Sequence, residues 1–276
     1  FHNIRVETAD LALPLPDSLL SNPADFIIHG ASLASPVKYL QHRLNTMRVN
    51  VLGVLGLLEK ARADGSENFV YISSGEIYGN PGKEYVPTPE HYLPEVDHLA
   101  DRACYTESKR FAESLCHQFS IEHQMKVSAV RPVHVFGPGL TLDDGRVVAD
   151  FLSNALSGQK IVVKSDGSDR RAFCYSLDAN LMLLHVMLRQ QKQFDVYNIG
   201  NPQNDLSIAE LASAVSGISG CEVEIQGRKP ASAKGTPALS SPDISKLVQL
   251  GYQPSYGIEK GLKNTLEWMR DWQVAH

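Results

Sequence analysis

The sequence carries no glycine-rich phosphate fingerprint. Neither G-x-G-x-x-G nor G-x-x-x-x-G-K-[ST] occurs in its 276 residues, so no backbone cradle for a pyrophosphate can be read from it. Cysteine is scarce: Cys104, Cys116, Cys174 and Cys221 show no C-x-x-C spacing, which argues against a zinc site or redox pair and makes reduced thiols the expectation. No apolar run reaches the roughly 18 to 20 residues that span a bilayer. Phe1–Asp10 lacks the basic start and apolar stretch of a signal peptide, so a cytoplasmic location is expected. There is no basic excess: 26 Lys and Arg stand against 31 Asp and Glu, a net charge of −5, which gives no footprint for nucleic acid or an anionic membrane. No internal repeat or low-complexity tract is found. What is present is 43% hydrophobic and 21% charged residues, enough to bury a core without disulfides or metal.

The first two thirds of the chain alternate short apolar runs with longer amphipathic stretches, as βα units around a parallel sheet do. Strands are expected at Ile4–Glu7, Phe26–His29, Phe69–Ser73 and Val127–Arg131, and helices at Leu44–Ala63 and Tyr105–Glu122. After Gly137-Pro138-Gly139 the pattern loosens. Helices are expected near Val147–Leu156, Asp178–Leu188, Ile208–Val215 and Ile258–Trp272, strands at Ile161–Val163 and Val196–Ile199, and a polar loop around Lys229–Pro237. This divides the chain into an α/β sheet domain, residues 1–140 interleaved with 175–200, and a smaller mixed lobe in residues 141–276. Ligands of open α/β sheets sit beyond the carboxyl ends of the strands, so the segments after each strand are the candidates for chemistry.

Tyr105-Thr106-Glu107-Ser108-Lys109 places a phenol and an ammonium four residues apart on one helix face, about 6 Å apart along the axis. A cation beside a phenol favours the phenolate and makes a base of it. Tyr-x-x-x-Lys also arises by chance, and most such pairs are surface contacts worth a few tenths of a kcal/mol. Ser73-Ser74-Gly75-Glu76 follows an apolar strand some thirty residues earlier and brings hydroxyls and a carboxylate to a strand end. Ser74 there could bond a substrate hydroxyl and Glu76 act on a neighbouring carbon. In the plainer reading Ser74 caps a turn and Glu76 is solvated.

Together these segments resemble the extended short-chain dehydrogenases/reductases, the NAD-dependent epimerase/dehydratase family. Ile28-His29-Gly30-Ala31-Ser32, Asn50, Ser73 to Gly79, Tyr105 to Lys109 and Arg131 to Pro138 fall in that family's order and spacing. Within it the resemblance is nearest to UDP-glucuronate decarboxylases (UDP-xylose synthases), through Ala34 to Tyr39, Arg102 to Tyr105, Asp144 to Val148, Gly167 to Phe173 and Ser241 to Ile244. It implies a Rossmann-like doubly wound parallel sheet with a smaller substrate lobe. Phe1 then falls at the third strand of that fold, so the opening βαβ unit has no counterpart in these residues.

The resemblance further implies NAD, reduced and reoxidised within one cycle, and a nucleotide-sugar substrate, a UDP-sugar first. Tyr105 matches the base that takes the sugar 4-hydroxyl proton, Lys109 the residue that bonds the nicotinamide ribose, and Ser74 the hydroxyl sharing the substrate proton. Glu76 and Arg171 match the carboxylate and guanidinium at the reacting end of the sugar. Asp10 matches the adenine contact. Gly30, Ala31, Ser32, Asn50, Ser73, Pro132 and His134 match other cofactor positions, and Ser35, His134, Arg146 and Val147 substrate positions, Arg146 at the diphosphate. The family also pairs the two long helices across a two-fold axis. That implies a homodimer, with Val54, Leu57, Leu58, Phe111 and Leu115 divided between sheet and interface.

Three positions depart from the family pattern. Gly75 stands where decarboxylases usually carry Ser and 4,6-dehydratases Asp, which argues against a dehydratase. Lys164 replaces an aromatic near the uracil, and Ser240 an Arg at the diphosphate. The expected activity is decarboxylation of UDP-glucuronate or a related nucleotide-uronate through a 4-keto intermediate. A C4 epimerase, a keto-sugar reductase and a non-catalytic nucleotide-sugar sensor are the alternatives.

Overall fold

The computed structural model describes residues 4–227 and 239–275, so the loop expected around Lys229–Pro237 lies outside the described residues. Four strands, Phe26–His29, Asn68–Ile72, Val127–Pro132 and Phe194–Ile199, run parallel in that spatial order. Ile4–Glu7 is not a strand, against expectation: it is irregular, with Ile4 67% and Val6 86% exposed. An apolar run becomes a strand only where a neighbour completes its ladder hydrogen bonds, and no described residue pairs with this one. Phe26–His29 is therefore the edge of the sheet, with Ile28 exposed.

Successive side chains alternate across the sheet. Phe69 and Tyr71 pack with Ile27, Val127 and Ala129 under Val54, Leu58, Ala112 and Cys116 of two helices. Val70, Val130 and Ile199 pack on the opposite face against Met182 and Val186 of helix Ser176–Arg189 and Leu247 of the short helix Ser245–Gln249. Helices on both faces make the sheet doubly wound.

The helix expected over Leu44–Ala63 is interrupted. Arg43–Arg48 and Val54–Asp64 are α-helical, and between them Val49–Gly53 forms a π-helical turn. It lies where another segment presses close: a Cβ on Gly53 would stand 3.0 Å from Leu11 Cβ and 3.3 Å from His29 Nε2. Helix Ala103–His123 is continuous over 21 residues. Val54 and Leu58 are fully buried against the sheet, whereas Phe111 is 56% exposed beside the exposed Leu44, Met47, Leu52 and Leu55 of the neighbouring helix.

In the second lobe, helices Val147–Leu156, Ile208–Ser219 and Ile258–Ala275 close around Phe151, Leu152, Ile161, Leu211, Val215 and Leu262. A three-stranded sheet of Leu239–Ser240, Arg170–Ala172 and Asp205–Ser207 carries Arg171 towards the main sheet. Among the described residues no helix is long and apolar enough to cross a membrane, and no cluster of His, Cys, Asp or Glu could hold a metal ion.

Candidate active site

The parallel strands end at one edge of the sheet, where the chain leaves at Gly30, Ser73 and Val133. The diverging connections leave a cleft of two adjoining compartments, about 560 and 280 Å³ in volume, which share Glu76, Arg102, His134, Val135, Arg146 and Arg171. Gly30, Ser32, Ser73, Ser74, Tyr105, Lys109 and Pro132 line the smaller one. Val147, Phe136, Leu140 and Phe173 line the larger.

Tyr105 and Lys109 lie one turn apart near the start of Ala103–His123 and are almost fully buried. Lys109 Nζ donates to the carbonyl oxygen of Ile72 at 2.7 Å and stands 5.7 Å from the Tyr105 ring centre and 5.0 Å from that of Tyr71. The Tyr105 phenol is pushed up to about 12, first by burial and then by the Glu76 carboxylate, while a Ser74 hydrogen bond, Arg146 and Arg102 draw it back. Burial likewise pushes Lys109 down to about 7, although Glu113 pulls the other way, so much of its positive charge is lost near neutral pH.

Ser74 Oγ accepts the N–H of Glu76 at 3.2 Å and so caps the 3₁₀ turn Gly75–Tyr78. The plain turn reading thus holds for Ser74, whereas Glu76, its side chain 35% exposed, is held in an ion pair and is not free in solvent. Glu76 Oε1 accepts from Arg102 Nη2 at 2.8 Å, and Arg102 Nε donates to the Tyr39 hydroxyl at 2.6 Å. Tyr39, fully buried, stacks on Tyr105 with ring centres 4.8 Å apart and planes 9° apart. Burial raises the Glu76 carboxyl, opposed first by Arg102. Neither Arg102 nor Tyr39 was singled out for a role in the sequence. Each stands in a segment that carries the family resemblance, yet only the folded chain brings them to Glu76.

Arg171 reaches both compartments from its strand, its Nη1 donating to the Arg170 carbonyl oxygen at 2.8 Å and its Nη2 to Asp169 at 3.4 Å. Burial lowers it from the usual guanidinium range. Arg146 also lines both compartments and is paired with Asp144. His134, at φ +44°, is held down at about 3 by burial and then by Arg171, Arg146 and Arg102, so it is a neutral ring in this cleft.

Four expected site residues do not line either compartment. Asp10 is exposed and accepts the N–H of Ala12, and the described residues before it form no strand. Ala31 is also exposed. Ser35 is spent on structure: its hydroxyl donates to the Asp144 carbonyl oxygen at 2.8 Å and caps helix Pro36–Gln41. Asn50 is buried in the π-helical turn, its amide donating to Ser108 Oγ at 2.9 Å. Of the departures, Ser240 lines the smaller compartment, whereas Lys164 is exposed and faces Asp150.

The smaller compartment suits the nicotinamide end of NAD. The side-chain atoms Ser32 Oγ, Ser73 Oγ and His134 Nε2 are buried without a protein partner at its wall. Tyr105 and Lys109 add a phenol and an amine, and Gly30, without a side chain, leaves the backbone open to close approach.

Comparisons with known proteins agree with this geometry. The model of the NAD dependent epimerase/dehydratase family matches residues 5–200. UDP-glucuronic acid decarboxylase 1 of Xenopus tropicalis is 34% identical over 247 residues, 89% of this chain and 57% of the relative. UDP-glucuronic acid decarboxylase 3 of Arabidopsis thaliana is 34% identical over 239 residues, 86% of this chain and 68% of the relative. Among solved structures, UDP-glucose 4-epimerase of Thermotoga maritima with UDP-glucose superposes at a TM-score of 0.80 and 27% identity, covering 90% of this chain and 78% of that one. RMD of Pseudomonas aeruginosa complexed with NADPH does so at 0.80 and 27%, covering 96% and 88%.

Proposed function

The chain belongs to the NAD dependent epimerase/dehydratase family, and within it we propose that it decarboxylates UDP-glucuronate or a closely related nucleotide-uronate through a 4-keto intermediate. The observation that carries this reading is the Glu76 carboxylate set beside Arg102, Arg146 and Arg171 in the cleft that holds Tyr105. Guanidinium groups grip a carboxylate well, and C4 epimerisation of a neutral sugar has no need of such a set. The two curated decarboxylases support the reading. In this scheme residues 1–140 with 175–200 hold the cofactor and 141–276 mainly the nucleotide sugar.

NAD, when bound, would accept a hydride from the sugar C4 and return it to C4 after carbon dioxide has left, and its positive nicotinamide ring would favour the Tyr105 phenolate. Tyr105 takes the proton of the 4-hydroxyl at its phenolic oxygen, and Ser74 hydrogen-bonds that oxygen. Lys109, tied to the Ile72 carbonyl, holds the ribose side of the compartment. Arg171 grips the C6 carboxylate until the C5–C6 bond breaks, its electron pair passes into the C4–C5 enolate and carbon dioxide leaves. Glu76 orients the water that returns a proton to C5. Tyr105 finally gives its proton back to the C4 oxygen.

The test is the product mass from UDP-glucuronate with NAD: loss of carbon dioxide, giving a UDP-pentose or its 4-keto form, is expected. Tyr105→Phe should lower the rate by several orders of magnitude while leaving the melting temperature within a few degrees. The Thermotoga epimerase gives a second reading some support. An unchanged mass together with a C4 epimer on chromatography would replace the first reading with it. We propose also a cytoplasmic homodimer formed through Phe111 and the exposed apolar residues of Arg43–Asp64; a monomer by light scattering at micromolar concentration would overturn the dimer.

A further inference from the structure

We propose that Arg102 is a positioning residue that ties the Glu76 carboxylate to the stacked pair of Tyr39 and Tyr105, so that acid and phenol are held as one unit. Three contacts converge on this. One branch of the guanidinium holds Glu76 Oε1 at 2.8 Å, its Nε holds the Tyr39 hydroxyl at 2.6 Å, and the Tyr39 ring lies parallel to Tyr105 at 4.8 Å. The planar fork of arginine serves two acceptors in fixed directions, which the single ammonium of lysine cannot do in the same geometry. The bridge spans three separate parts of the chain, a helix turn after Ser35, the strand-end turn at Glu76 and the start of the long helix.

The consequence is electrostatic as well as geometric. Enclosed in the cleft, Glu76 is driven towards its neutral form, and Arg102 is the first opposing influence, followed by Arg146 and a Tyr39 hydrogen bond. Arg171 and the neutral His134 share the same walls, and Asp97 and Asp101 line the larger compartment with it. Without Arg102, Glu76 loses the first influence that opposes its protonation, so a larger share of it is neutral and unable to accept a hydrogen bond from water. The inference rests on the proposed role of Glu76, but titration of Glu76 itself needs no turnover.

The experiment follows the Glu76 carboxyl by ¹³C NMR in the ligand-free protein, assigned with Glu76→Gln, across wild type, Arg102→Gln, Arg102→Lys and Tyr39→Phe. The midpoint is expected to rise by about 1 to 3 pH units in Arg102→Gln and to stay near wild type in Arg102→Lys, which keeps the charge. With UDP-glucuronate and NAD, Arg102→Lys is expected to lose about 10- to 100-fold in kcat with KM little changed, because the charge is present and the bridge is not. A Glu76 midpoint equal in wild type and Arg102→Gln, or full kcat in Arg102→Lys, overturns the proposal. Should Arg102→Gln fail to fold, Tyr39→Phe decides: the lost hydroxyl should lower kcat with the ring stack kept, and unaltered kcat overturns the bridge. If wild type releases no carbon dioxide from UDP-glucuronate, the NMR arm alone decides on Arg102, and the proposed activity falls separately.

Discussion

Gly75 has no side chain for a reason visible at one contact: a Cβ there would stand 2.6 Å from Val133 Cγ2. Val133 is 6% exposed and, being β-branched, has little rotamer freedom with which to give way. Gly75→Ser should therefore cost about 1 to 3 kcal/mol in urea unfolding, and Val133→Ala in the same chain should recover part of it; equal stability of wild type and Gly75→Ser would refute the contact as the cause. Residues of this kind also mark how far the site could be read beforehand. Ser74, Glu76, Tyr105 and Lys109 were legible because each pair lies close along one turn or one helix face. Arg102 and Tyr39 meet across a sequence gap that no local spacing reports. Asp10 lies outside the residues that line the cleft, and Ser35, between the cleft-lining Ala34 and Pro36, turns its hydroxyl to the Asp144 carbonyl oxygen.

Helix Ala103–His123 is bound to the sheet by more than apolar packing. Arg131, on the central strand Val127–Pro132, donates to both oxygens of Glu113 on that helix, at 2.9 and 2.6 Å, and to the Tyr78 hydroxyl at 2.8 Å. Both partners are about 90% buried. Removing one leaves a desolvated charge, so Glu113→Leu should destabilise by about 3 to 5 kcal/mol, whereas Glu113→Leu with Arg131→Met should cost much less. Thermal and urea melts of the three proteins check this; additive losses would argue against a coupled pair. Long elements such as this helix and its strand were readable because their apolar spacing persists over many residues. Arg170–Ala172 and Asp205–Ser207 were not, because three residues with charged or polar members show neither a period nor the apolar run that marks Ile161–Val163. The π-helical turn at Val49–Gly53 escaped notice for another reason: it packs at Gly53 against Leu11 and His29, contacts that belong to the fold and that helical spacing does not display.

Across the whole molecule, acid should act through buried imidazoles. His29, 1% exposed, is lowered to about 4, first by burial and then by Lys109, and His134 to about 3. Between pH 6.5 and these values the unfolded chain binds protons that the folded chain refuses, so stability falls as pH drops through that window. For His29 the loss by pH 4 is on the order of 3 kcal/mol. Urea unfolding at pH 7, 6 and 5 should show this slope in wild type and a flatter one in His29→Asn; identical slopes would assign the acid sensitivity elsewhere. The parallel order of the main sheet has one more result, this time in kinetics. Each strand meets partners about 40 to 70 residues away, so every pairing closes a long loop before it is rewarded, which places sheet assembly late and makes it slow. Until then the apolar strands stand open to neighbouring chains, so refolding yield should fall as protein concentration rises.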